Sequence, residues 1–234
     1  MLEEKTIPIF PLNLVLFPRQ KLPLRIFEPR YKQLIDDCMM GNGQFGVCLV
    51  DDQKKVLGWE SPRLVGTLAK ITKCEDVEMG MQLFVYTVGR HKFKIKEIIP
   101  PSFELPEKYD PYTVEGHQKV SDLHEKTGVE KKMYISAKVE FLPDIDESVP
   151  LDDWKNLVDL WKQRIIYQAL PQIVNPFQLD QVLAQYSLNE NPNVDYLYSL
   201  VSLGATDPNS LQPILEAETI DEMITEIEEM LMIK

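Results

Sequence analysis

The pattern of apolar and polar positions divides the chain into a strand-rich first part and a helical second part. Residues 6–100 contain short apolar or alternating runs, which are typical of strands, and one run with helical spacing. Residues 151–234 carry apolar residues three and four positions apart, as on one face of a helix. This order predicts an α+β protein in which a sheet precedes a helical bundle.

One helix is predicted in the first part, over Pro29–Met40. Pro29 suits the first helical position, and Gly41-Asn42-Gly43 suits the end of a helix. The apolar stripe has the spacing i, i+3, i+4, i+7 and consists of Tyr31, Leu34, Ile35 and Cys38.

The strands of the first part are predicted from short apolar and alternating runs. In the run Arg90–Ile99, Phe93 and Ile95 alternate with lysines at 92, 94 and 96, which predicts one buried face and one face in water. Gly89 is interpreted as a turn between this run and the preceding run, Met81–Val88. The predicted strands are Gln44–Val50, Leu64–Cys74, Met81–Val88, Arg90–Ile99 and Met133–Phe141.

The helices of the second part are predicted from their first residues. Asn175-Pro176, Asn191-Pro192 and Asp207-Pro208 each place a capping side chain before a proline at the first helical position. Thr219 and Glu222 have the spacing of a capping box. Between the two parts, Pro100–Lys132 is predicted to be a surface excursion with one short helix near Gln118–Lys126.

Charge and composition narrow the classes of function. The net charge of −12 disfavours binding to a phosphate backbone, which requires a basic surface. The start Met1–Lys5 is acidic, unlike a signal peptide, and no run approaches the length of a membrane span. Three cysteines without a CxxC pair suit reduced thiols, so we expect a cytoplasmic protein.

The sequence lacks the common motifs that carry catalytic or nucleotide-binding chemistry. The sequence has no GxxxxGK[ST], GxSxG, HExxH or GxGxxG motif. His117 and His124 lie among acidic residues of the excursion, but solvated polar loops explain them better than a metal site does. We therefore assign no catalytic, cofactor-binding or metal-ligating residue and expect no cofactor.

The proline-rich opening resembles the N-terminal domain of Lon proteases, the substrate-recognition part of those enzymes. The resemblance is carried by Ile7–Pro18, by Arg25–Tyr31, by Phe45-Gly46-Val47, by the pair 65–71 and 88–93, and by 136–140. It implies a twisted antiparallel PUA-like pseudo-barrel sheet with one helix over residues 1–146, including an insertion at about 100–132. A helical bundle over residues 147–234 would follow, and it resembles the family around Asn175–Tyr186 and Leu211–Leu231.

The resemblance also implies a function. Because no ATPase or peptidase motif is found, we expect a stand-alone member of the family that is not an enzyme. It would bind unfolded or client proteins through apolar surface near the junction of sheet and helices, with a separate protease or ATPase as a further partner. The alternatives are a small-ligand or RNA-binding PUA-like module and an undetected hydrolase.

Two groups of residues are singled out as candidates. Leu14, Phe17 and Trp59 are predicted to contact the partner because they lie in expected loops rather than on periodic faces, although a loop tryptophan can also fold over the core. Arg25, Glu28 and Arg30 are interpreted as a structural cluster at the start of the helix. There, a carboxylate is stabilised by free amides and a nearby guanidinium.

Overall fold

A computed structural model describes residues 4–77, 82–169, 192–204 and 207–232 of the protein. The chain divides into two compact units, Met1–Leu142 and Pro143–Lys234.

The first unit is built on a six-stranded sheet with the strand order β2-β5-β4-β3-β1-β6. The long strand β5 also pairs with β6, so the sheet closes on itself through β4, β3 and β1. The strands are β1 (Glu4–Leu12), β2 (Lys21–Ile26), β3 (Gln44–Val56), β4 (Trp59–Val77), β5 (Gln82–Ile99) and β6 (Ser136–Phe141).

The pairing of β1 with β3 departs from the antiparallel sheet that was predicted. These two strands are parallel, while all other pairs of the sheet are antiparallel. Parallel neighbours require a crossover connection, which β2 and the helix after it supply between β1 and β3.

That helix, α1 (Pro29–Met40), confirms the predicted bounds. Its buried face contains the four residues of the apolar stripe and also Arg30. The amide of Gly41 closes the last turn by donating to the carbonyls of Asp37 and Cys38. The stripe packs into a cluster that also includes Phe10, Phe45 and Val85 of the sheet.

Gly89 does not form the predicted turn, because β5 runs without interruption through it. Its amide donates to the carbonyl of Gln20 at 2.8 Å, and its carbonyl accepts from the amide of Arg19 at 2.9 Å. A Cβ atom on Gly89 would lie 2.3 Å from the carbonyl oxygen of Phe17. Glycine is therefore present here because another segment of backbone passes very close to the strand.

The loop expected around Trp59 is also replaced by a tight turn and a strand. Leu57 and Gly58 have φ values of 51° and 81°, and they form the tight turn between β3 and β4. Positive φ at two adjacent turn residues matches the twist of a hairpin. Trp59 consequently begins β4 instead of lying in a loop.

The predicted alternation of exposed lysines with buried apolar residues along β5 is only partly confirmed. Lys94 and Lys96 are exposed, and Phe93 and Ile95 are buried, as predicted. Lys92, however, is 2% exposed, and Lys96 pairs with Glu140.

The excursion at residues 100–132 contains a longer helix than predicted, α2 (Val114–Thr127). The Thr113 hydroxyl accepts from the Gly116 amide at 3.0 Å, which caps the first turn. Val120 of this helix is fully buried beside Trp59 and Met133.

The described part of the second unit contains four helices. The pairs in contact are α3 with α4, α3 with α6, α4 with α6, and α5 with α6. Their bounds are α3 (Leu151–Ala169), α4 (Val194–Gly204), α5 (Pro208–Glu216) and α6 (Ile220–Met232).

Two of the predicted helix starts in this unit are confirmed. Asp207 caps α5 by accepting from the amide of Asn209 at 3.0 Å. Thr219 accepts from the amide of Glu222 at 3.2 Å, and the Glu222 carboxylate accepts from the amide of Glu218. The helix predicted around Asn175–Tyr186 lies outside the described residues, as does Asn191.

Candidate binding cavity

A cavity of about 440 Å³ opens in the first unit beside the start of α1. Its walls come from the ends of β1 and β2, the first turn of α1, the β3–β4 turn and the segment 105–112. Six aromatic residues contribute to the lining: Phe10, Phe27, Tyr31, Trp59, Tyr109 and Tyr112. All of these walls belong to the sheet unit.

An ion pair lies in the lining of this cavity. Arg30 Nε donates to Glu28 Oε2 at 2.9 Å, and the two side chains are 9% and 13% exposed. The Tyr109 hydroxyl donates to the same carboxylate oxygen at 2.9 Å. Glu28 thus receives two hydrogen bonds, one from a neighbour in sequence and one from a residue of the excursion.

Glu28 is the N-cap residue of α1, but its side chain makes no capping hydrogen bond. The carboxylate is directed to Arg30 and Tyr109 instead of to the free amides of the first turn. Arg25, the third residue of the predicted cluster, donates from Nε to Gln82 at 2.6 Å and lines the cavity without joining the ion pair.

The Arg30 guanidinium packs against two aromatic rings. Its Cζ atom lies 4.2 Å from the centre of the Tyr31 ring and 4.4 Å from the centre of the Trp59 ring. Such contacts stabilise a cation that is removed from water. Burial alone would lower the pKa of Arg30, but the neighbouring Tyr31 and Glu28 outweigh it and raise the pKa, so the guanidinium stays charged.

Both phenols of this cluster remain protonated at neutral pH. Burial raises the pKa of Tyr31 above its ordinary value of 10.0, although Arg30 opposes the shift. Burial also raises the pKa of Tyr109, and the charge of Glu28 raises it further. The Tyr109 hydroxyl is consequently a hydrogen-bond donor to Glu28 over the physiological range.

The Trp59 wall is held in place by the excursion. The indole Nε1 donates to the carbonyl of Phe103 at 3.1 Å, and the Trp59 ring meets the Tyr109 ring edge-on at 5.4 Å. The amide of Leu105 donates to the carbonyl of Leu57 at 2.9 Å, which fastens the excursion to the β3–β4 turn.

The opening of the cavity carries exposed residues. Tyr112 is 82% exposed, and its ring lies 5.4 Å from that of Phe27. Lys55 and Glu60 also line the cavity and bring one charge of each sign.

The three partner-contact candidates predicted from the sequence do not lie together at the cavity. Trp59 lines the cavity but is only 2% exposed. Phe17 is completely buried, and Leu14 is half-buried against the cluster beneath α1; neither lines the cavity. A role of these three residues in contacting a partner stays a prediction.

Sequence reasoning missed the contribution of the excursion. Leu105, Tyr109 and Tyr112 line the cavity, although the segment was interpreted only as a surface excursion. The available signal was its content of aromatic residues, with Phe103, Tyr109 and Tyr112 within ten positions. Solvated loops are poor in such side chains, so this composition indicates a packed segment.

No group of three or more His, Cys, Asp or Glu side chains within the described residues is arranged to hold a metal ion. Among the helices that the structure describes, none combines the length and apolarity of a membrane span.

The chain belongs to the ATP-dependent protease La (LON) substrate-binding domain family, whose pattern it matches over residues 6–232. This match covers nearly all of both units.

Solved structures of the family have the same mixed α+β fold. The Lon N-terminal domain protein from Xanthomonas campestris is 18% identical, with a TM-score of 0.58 and coverage of 97% of each chain. The N-terminal domain of the Lon protease of the Mycobacterium avium complex is 13% identical, with a TM-score of 0.56 and coverage of 97% of this chain and 98% of that one. These likenesses concern the fold.

Proposed function

We propose that this chain is a non-enzymatic recognition module that binds unfolded or client proteins. The observation that carries the proposal is the aromatic cavity around Arg30 and Glu28, in a chain of a substrate-binding family. Binding sites are typically cavities of roughly 300–1,000 Å³ with apolar walls and a few placed polar groups, and this cavity has that character.

The finer fold assignment is part of the same proposal. We assign the sheet unit to the PUA-like pseudo-barrels, which is supported by the closure of the sheet through β5 and β6. We assign the second unit to the helical bundles, which is supported by the mutual contacts of α3, α4 and α6.

The cellular context is proposed from the cysteines and the family. Cys38, Cys48 and Cys74 are free thiols, which suits a reducing cytoplasm. A separate protease or ATPase is the proposed further partner, because the family is named for the substrate-binding part of an ATP-dependent protease.

Binding of an unfolded protein is the direct test. A reduced, carboxymethylated and fluorescently labelled test protein is titrated with the full chain, and its anisotropy is measured. Saturable binding at micromolar concentrations is expected, while the native form of the same test protein should not bind. Equal binding of both forms, or of neither, would contradict the proposal.

A small-ligand site is the second candidate, because the cavity volume also suits a small molecule. An RNA site has less support, since Lys92 is buried and Lys96 is paired with Glu140. A salt-dependent gel shift with RNA would reverse this order, because phosphate contacts weaken steeply as salt increases.

A further inference from the structure

The lining of the cavity contains a charged donor beside a buried hydroxyl. Arg30 donates to Glu28 from Nε, so Nη1 and Nη2 of the same guanidinium are further donors in the lining of the cavity. The Tyr31 hydroxyl is buried and has no hydrogen-bond partner within the described ranges. A buried polar group is costly when unpaired, so a hydroxyl of this kind beside a charged donor at a cavity indicates a ligand that supplies polar partners.

The donors of Arg30 require an acceptor, and Glu28 already balances the charge of Arg30. The other charged residues of the lining are Glu60 and two exposed cations, Arg25 and Lys55, so the lining as a whole does not repel an anion. A peptide carbonyl still suits Arg30 better than a carboxylate does, because it accepts hydrogen bonds without the cost of removing a second anion from water beside a completed ion pair.

The walls indicate what accompanies that carbonyl. Trp59 and Tyr109 meet edge-on, Phe27 and Tyr112 form a second pair of neighbouring rings, and all four rings belong to the lining of the cavity. Aromatic rings pack favourably with a further ring in edge-on or offset arrangements. A planar aromatic side chain is thus the complement of these walls.

We infer that the cavity receives an aromatic side chain of an extended polypeptide segment, and that Arg30 donates to the peptide carbonyl beside it. This inference rests on the proposed function and adds the site and the class of segment that it binds. Arg30 is the polar anchor, the four rings select the side chain, and Tyr112 forms the outer edge.

Short peptides test the inference on the full chain. The probe is acetyl-Gly-Gly-Phe-Gly-Gly-amide, and its controls carry Ala in place of Phe or end in a free carboxylate directly after Phe. Binding is followed at millimolar peptide through the indole N–H signals of ¹⁵N-labelled protein. The protein has three tryptophans, and Trp154 and Trp161 belong to the second unit, so they serve as internal references.

The Trp59 signal, assigned with Trp59→Phe, should shift with the Phe peptide and not with the Ala peptide. The peptide with a free carboxylate should bind more weakly. Arg30→Lys keeps the charge but loses the planar donors, so it should weaken binding by at least about tenfold. The midpoint of thermal unfolding shows whether this variant remains folded.

A second variant avoids the buried ion pair. Tyr112→Ala removes an exposed ring of the opening, so folding should be unaffected and binding should weaken by roughly threefold to tenfold. The matched control is Tyr86→Ala, which removes a ring that is 42% exposed in the same unit and lies outside the cavity. Its affinity should equal that of the unchanged protein.

The outcomes separate this inference from the proposed function. If the unfolded test protein binds but Trp59 does not respond to the Phe peptide, the cavity assignment is wrong and the proposed function stands. Preference for the carboxylate peptide, or equal affinity of Tyr112→Ala and the unchanged protein, also overturns the assignment. If the unfolded test protein does not bind, the proposed function itself fails.

Discussion

Arg30 is a cation removed from water whose charge is balanced by one nearby carboxylate. It packs against two rings and donates to Glu28, which also accepts from Tyr109. Removing a charged group from water costs several kcal/mol unless its partner remains. The ion pair therefore links the fold of α1 to the excursion, in addition to shaping the cavity.

Glu28→Gln should destabilise the protein by about 3 kcal/mol, because it leaves the buried charge of Arg30 without its partner. Urea unfolding at neutral pH, followed by circular dichroism, measures the change. The matched control is Glu97→Gln, which breaks the exposed pair of Glu97 with Lys138 and should leave the unfolding midpoint unchanged. Equal midpoints for Glu28→Gln and the unchanged protein would show that the buried pair does not stabilise the fold.

At the scale of elements, β5 organises the first unit. It pairs with β2 along its first half, with β4 over most of its length and with β6 along its second half. The segment before β2 passes across Gly89, and its backbone forms two hydrogen bonds with that residue. Gly89 is thus the point at which a non-strand segment is fixed to the sheet.

Gly89→Ala should destabilise the protein by about 2 to 4 kcal/mol, because the new methyl group would lie against the backbone of Phe17, which cannot move aside as a side chain can. The free energy of unfolding in urea measures this. Arg90→Ala, an exposed neighbour on the same strand, is the control and should change that free energy by less than about 0.5 kcal/mol. A similarly small change in the free energy of unfolding for both variants would contradict the close approach of the Phe17 backbone to Gly89.

The predictions from sequence agree best with the structure where residues close together along the chain are enough to specify an element. The bounds of α1 and the start of α5 follow from a proline, a capping side chain and an apolar stripe. Gly89 and Trp59 were misinterpreted, because the same residue types serve turns or loops as well as packed strands. What distinguishes the two uses is a distant segment: the loop at Phe17 for Gly89, and Phe103 for Trp59.

At the scale of the whole molecule, the sheet unit has an internal core of its own. Phe93, Ile9 and Val139 are fully buried in one cluster between the strands, and α1 covers a second cluster. The last strand, β6, pairs with β1 on one side and β5 on the other. Closure of the sheet therefore depends on a strand at the very end of the unit.

A fragment of residues 1–142 should fold alone and unfold cooperatively in urea, because its clusters lie within the unit. Circular dichroism and the unfolding transition measure this. A fragment of residues 1–135 is the matched control: it lacks β6, exposes the edges of β1 and β5, and should not give a cooperative transition. Cooperative unfolding of the shorter fragment would show that closure is dispensable.

Local sequence is sufficient to predict the α+β class, the family resemblance, helix α1 and two capped helix starts, because these depend on residues that are neighbours along the chain. The cavity, in contrast, arises only from tertiary contacts. Arg30, Trp59 and Tyr109 are far apart in sequence and meet because the sheet closes and the excursion folds back over the β3–β4 turn. Contacts of this kind follow from long-range strand pairing, which no local periodicity encodes.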